Sequence, residues 1–355
     1  MEAHVTYYPL EEGPERATEC FAEPPTKRKF VCRPSPVHEL ASFHPVKDVI
    51  ACDLVHGLYG SIMPRIMKMA KGTHGVLHQA NALCHYLPAE APRQIQQAKL
   101  AAITRKEYAP MFLVGIALFR VLDPPHYAIF MKLWLGVRML GTDPKACFSP
   151  ARSLLQDFVK LSQPVFHPSM PGTDNYSHMM LYMAQEAEQH GVQSMASFEE
   201  HIARFRNLQY ESGVEDVLKD VAEQIQHIER NLTLDAPVPV LFTDKTVRTE
   251  RFTINCGNPA DAWFLTYTGQ LAKAVGMQPE RGYVVARVVE RRPELQYANV
   301  PVPEELRLYR LPFPVPFAAG RAYITVTDIH YKMVCLESGQ QYMLFPLLDM
   351  DLARF

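Results

Sequence analysis

The chain has 355 residues, 48% of them apolar, enough to bury a large core and too many for a disordered tail. Its 36 basic and 38 acidic side chains nearly cancel. This excludes a strong overall field drawing the chain onto nucleic acid or an anionic membrane, and leaves room only for a local basic strip.

Residues 1–36 are rich in Glu, Pro and charge and predict an irregular segment. No basic stretch followed by an apolar run opens it, which predicts an intracellular protein, nuclear or cytoplasmic. The seven cysteines are scattered and never spaced Cys-x-x-Cys, a pattern of reduced thiols. Lys27, Arg28 and Lys29 form a short basic cluster that suits a solvated loop, an import signal or a DNA phosphate contact. Val46, Val49, Ile50 and Ala51 predict a buried strand that stops at Asp53, within a segment 37–60.

From residue 61 to 190 the period becomes helical. Helices are expected over Ser61–Lys71, Val76–Tyr86, Ala91–Ala102, Lys106–Leu122, His126–Leu140, Pro150–Val165 and Asn175–His190. Pro and Gly punctuate them at Gly72, Pro88, Pro124-Pro125, Gly141–Pro144 and Pro168–Gly172. Met111–Leu122 is the most apolar run, but a bilayer span needs about 20 residues, so a buried helix is expected and no membrane. Ser149-Pro150 marks a helix start. Ser197-Phe198-Glu199-Glu200 has the form of a capping box, opening a helix to about Tyr210 within 191–231, and a further helix is expected over Val214–Asn231.

Residues 232–250, with Asp235-Ala236-Pro237-Val238-Pro239, predict a linker. Over 251–355 the period is two. Strands are expected at Phe252–Asn255, Ala262–Tyr267, Tyr283–Val289, Leu306–Leu311, Ala322–Asp328, Met333–Glu337 and Gln341–Pro346, with a hairpin turn at Ser338-Gly339. The fold class is therefore α+β, a helical part followed by a small sheet or barrel.

Glycine-rich phosphate loops, the nucleophile elbow and the His-Glu-x-x-His zinc pattern are all absent from the sequence. An acidic pair remains. Asp53 is set in Ser35-Pro36-Val37-His38-Glu39-Leu40 and Asp53-Leu54-Val55-His56-Gly57-Leu58-Tyr59-Gly60. This resembles a "SP-x-x-E-L-x-x-F" lead-in and "D-x-M-H-x-x-x-x-G" strand end in one group of animal DDE-type transposases, with Val55 at the methionine position. Ala196-Ser197-Phe198-Glu199-Glu200 resembles that group's "F-P-F-E-N", matched at Phe198 and Glu199. Asp174-Asn175-Tyr176-Ser177-His178 is loosely similar to its "N-x-H-x-L-x-H" helix, and Tyr342–Leu348 to its closing "F-P-L-L-H".

The resemblance, to hAT- and CACTA-like elements, runs in order from Ser35 to Asp349. It implies an RNase H-like core with a large helical insertion. Asp53 and Glu199 would be the second and third catalytic acids, holding Mg²⁺ or Mn²⁺ for two-metal phosphoryl transfer. Arg204 and Arg206 would follow DNA. No upstream acid sits in a strand-like run that suits the first position, so the core is expected to be incomplete, any metal site weak, and the chain inactive in strand cleavage. The expected partners are DNA, another protein or a second copy. Two alternatives stay open: an active metal-dependent nuclease completed by a further segment, and an unrelated helical scaffold. In the latter, Asp53 merely caps a turn and Glu199 merely favours a helix start.

Overall fold

A computed structural model describes residues 7–8, 54–70, 75–88, 103–122, 124–142, 144–166, 173–174, 180, 183–184, 187–188, 240–290, 306–338 and 340–348. Tyr7–Tyr8 (β1) pairs antiparallel with Thr173–Asp174 (β2). Leu54–Ile62 is a wide π-helical segment running straight into α1 (Met63–Met69). The strand is expected to stop at Asp53, and the residues that follow it, Leu54–Gly60, are helical. Leu58, Tyr59 and Ile62 pack from this segment into the helical core. Residues 37–53 lie outside the described residues.

Helix α2 (Val76–Cys84) follows Gly75, whose φ of 79° is left-handed and suits glycine. Helix α3 (Arg105–Leu122) begins on a closed acidic turn: the Thr104 N–H and hydroxyl both donate to the Glu107 carboxylate at 2.8 Å. Every residue from Met111 to Phe119 is buried, so α3 is the central helix. Helix α4 (Pro124–Thr142) packs beside it, and α5 (Pro144–Phe166) packs against α4. Helix α5 starts at Pro144, not at the expected Pro150, which lies inside it. A proline at a helix start forgoes only a hydrogen bond the first turn lacks anyway. The bond lost at Pro150 is outweighed by burial of Cys147, Ala151, Leu154, Leu155 and Phe158. Met180, Met183, Ala184 and Ala187, at helical spacing, join the same core. No helix among the described residues is long and apolar enough to cross a membrane.

The contact between α3 and α4 depends on one missing side chain. Phe112, Gly115 and Phe119 form a stripe on α3, and the Phe130 ring of α4 rests on it, 5.9 Å from the Phe112 ring centroid and 4.7 Å from that of Phe119. A Cβ at Gly115 would run into the Phe130 ring. Gly115→Ala is therefore expected to destabilise the protein by about 1–3 kcal/mol through overpacking, despite alanine's better helix propensity. Urea unfolding checks this, and Gly115→Ala/Phe130→Leu should recover most of the loss.

The β-rich part holds two sheets. The smaller contains β3 (Leu241–Phe242), β4 (Thr246–Arg248) and β5 (Thr253–Asn255) in sequential antiparallel order. Part of the expected linker is therefore strand. The larger is antiparallel and is ordered β10-β8-β7-β6-β11-β12-β9. Its members are β6 (Trp263–Thr266), β7 (Leu271–Gln278), β8 (Tyr283–Val288), β9 (Tyr309–Pro312), β10 (Ala322–Thr325), β11 (Ile329–Ser338) and β12 (Gln341–Pro346).

This larger sheet has to curl. Strand β9 is at one edge, yet Phe317 bridges Val289 at the far side of β8. Laid flat, those positions would be about 29 Å apart at the usual strand spacing, and the chain from Pro312 to Phe317 reaches at most about 18 Å. The inner face then forms a core of Trp263, Leu265, Leu271, Val289, Tyr309, Leu311, Met333, Cys335 and Leu344. The outer face has two covers. Phe264, Ala272, Val284, Ala286 and Ile324 meet Val247, Phe252 and Ile254 of the small sheet. Val334, Leu336, Met343 and Phe345 instead join the helical core.

The seam between these covers is polar. Lys332 of β11 lies on the outer face opposite Phe264 and reaches Asp261 at 2.7 Å, both fully buried. The second Asp261 oxygen accepts the Asn258 amide at 2.5 Å. On the helical side, Arg138 of α4 is buried between the Trp134 and Phe345 rings, 4.8 and 5.1 Å from their centroids, and donates to the Pro346 carbonyl. Trp134 and Phe345 themselves meet edge-to-face at 5.4 Å.

Candidate nucleic-acid interface

Side chains alternate across a strand, so membership of the cores sorts β7, β8 and β10 by face. Ala272, Ala274, Val284, Ala286 and Ile324 point to the small sheet. Lys273, Tyr283, Val285, Arg287 and Tyr323 share the opposite face, the one that leads into the curled interior at Trp263, Leu271 and Val289. At the mouth of that interior Lys273 and Arg287 are direct cross-strand partners. Arg321, exposed, immediately precedes Ala322, whose partner Ala286 adjoins Arg287. Three cations thus fall in one row, one on β7, one on β8 and one just before β10.

Like charges directly opposite each other destabilise a sheet. Here each of the central pair lies over an aromatic ring: Lys273 Nζ is 5.5 Å from the Trp263 centroid and the Arg287 guanidinium 4.3 Å from that of Phe317. The two rings stack on each other at 6.0 Å and an interplanar angle of 19°. The quadrupole of each ring offsets part of the repulsion. Among the described residues no salt bridge joins Lys273 or Arg287 to a carboxylate. Further out on the same face Tyr323 is 57% exposed, edge-on to Tyr283 with 6.4 Å between ring centroids.

Burial raises the pKa of two thiols, Cys335 of β11 and Cys84 of α2. Burial pushes Cys335 up to about 12, with Glu337 adding to and Lys273 opposing the shift. Burial likewise pushes Cys84 up to about 12. At neutral pH this favours the protonated thiol at both positions. Among the described residues, no group of three or more His, Cys, Asp and Glu side chains is placed to hold a metal ion.

The acidic pair Asp53 and Glu199, the basic residues Arg204 and Arg206, and the cluster Lys27, Arg28 and Lys29 all lie outside the described residues. The row Lys273–Arg287–Arg321 was not legible as a site, because β7 is not read as a strand from Leu-Ala-Lys-Ala-Val-Gly-Met-Gln. The signal was the period of two around each cation, apolar neighbours flanking Lys273 and Arg287 on both sides. No protein-family model, curated protein or solved structure matches the chain.

Proposed function

We propose that the chain is a transposase-derived protein that does not cleave DNA on its own and acts by binding nucleic acid through the β7–β8–β10 face. The ordered stretches from Ser35 to Asp349 support the ancestry, as does a helical block followed by a β-rich part. On this reading Asp53 and Glu199 are relics of an RNase H-like core, and the helices between them are its insertion.

The observation that carries the binding role is the Lys273–Arg287 pair. The rings offset only part of the repulsion between two cations set opposite each other, whereas a phosphate chain laid across them relieves the rest and releases counterions. A nearly neutral chain needs such a strip to hold a polyanion at all.

The test is fluorescence anisotropy with a labelled oligonucleotide at several salt concentrations. Lys273→Gln/Arg287→Gln should weaken binding and lower the salt slope by about 1.4, from two lost phosphate contacts at about 0.7 each. In the free protein the same variant removes a repulsion together with two cation–π contacts, so its stability should stay within about 1 kcal/mol of the parent. Unchanged binding, or a clear loss of stability, overturns the assignment. Nicking of DNA that needs Mg²⁺ or Mn²⁺ and disappears in Asp53→Ala overturns the non-catalytic part.

A further inference from the structure

Resting on that reading of the cation row, we infer that the face selects single-stranded nucleic acid over duplex. Duplex DNA offers proteins its phosphates and its groove edges, while its base faces are stacked away inside. A cation row alone would take either form. This face adds an aromatic platform. Tyr323 is 57% exposed on β10, two residues from Arg321, and Tyr283 stands beside it with its ring edge-on. Tyr283 and Arg287 are four residues apart on β8, about 13 Å along the strand, a separation that lets unpaired bases reach the rings while their phosphates meet the cations.

The ring geometry is consistent with an open stacking surface. Trp263 and Phe317 are used up by each other and by the two cations, leaving no ring face for a base. The Tyr283–Tyr323 contact is edge-to-face at 67°, so it does not consume the stacking faces in the same way. Val285, between them on the same face and almost buried, forms an apolar floor. Base stacking on aromatic side chains tolerates any sequence, so the predicted binding is to single strands without strict sequence preference. An acid closes one end of the face: Asp328 accepts the Thr325 hydroxyl at 2.6 Å. The strand should therefore leave the platform on the side away from Asp328, across Arg287 and Arg321.

The experiment compares a labelled oligothymidylate, its oligouridylate counterpart and a duplex of equal length on the full chain. The expected result is at least tenfold tighter binding of the single strands. Tyr323→Ala should weaken single-strand binding by about fivefold or more, as loss of one base stack does, with duplex binding unchanged. Tyr323→Phe should retain it. Similar affinity for duplex and single strand, with Tyr323→Ala silent, overturns the single-strand inference while leaving the cation row as a phosphate site. Absence of binding of all three probes to the parent protein at low salt overturns both. Tighter binding of either single strand over duplex supports the inference.

Discussion

Lys332→Met is expected to destabilise the protein by about 3–5 kcal/mol, because it strands the Asp261 carboxylate in a buried seam. The pair spans two elements far apart in sequence, with Lys332 Nζ and Asp261 both essentially sealed from water at 2.7 Å. Asp261 is held from its other side by the Asn258 amide, whose carbonyl accepts the Ala260 N–H at 3.2 Å, so the carboxylate cannot swing out to solvent. The ion pair itself need contribute little net stability, since desolvation offsets most of its attraction. Asp261→Leu/Lys332→Met should therefore sit well above Lys332→Met and close to the parent. Chemical denaturation of the four proteins in a double-mutant cycle reads the coupling. Additive single-variant losses would show that the two side chains do not act as a pair.

Trp134→Ala is the second large expectation, at about 3–5 kcal/mol for removal of a fully buried aromatic. Trp134 is where the helices meet the sheet: its ring meets Phe345 edge-to-face and also lies against the Arg138 guanidinium. Its loss opens a cavity and takes one of the two rings from a buried cation. The helical and β-rich parts share one continuous core through Val334, Leu336, Met343 and Phe345. The parent should accordingly unfold in one transition, with helical circular dichroism and the fluorescence of its two tryptophans changing together. In Trp134→Ala the helical signal should be lost first. A parent that shows two separated transitions would refute the shared core.

The helices were legible because their signals are local. Pro124, Pro144 and Gly75 punctuate the chain where helices begin, and the buried run Met111–Phe119 falls where hydropathy put a core helix. The α+β order was legible for the same reason. Strand β7 was not, because alanine, glycine and methionine have weak β-propensity and its place is fixed by neighbours on both sides, not by its own residues. Of the small sheet only β5 was read; β3 and β4 were missed because they are only two and three residues long and close on threonine turns, the Thr243 hydroxyl accepting the Thr246 N–H at 2.9 Å. The acidic pair read from motif likeness lies outside the described residues. The cation row depends on register between strands, which no single stretch of sequence encodes.

The shared core also has a consequence for the order in which the molecule can be completed during synthesis. The hydrophobic surface of α4 around Trp134 finds its cover in Phe345, Leu347 and Leu348, some two hundred positions further along the chain. While a ribosome is still making the intervening residues, the helices can form and associate, but they carry an uncovered apolar side. That interval is when a chaperone has most to grip, and release into a finished molecule waits on the final hairpin.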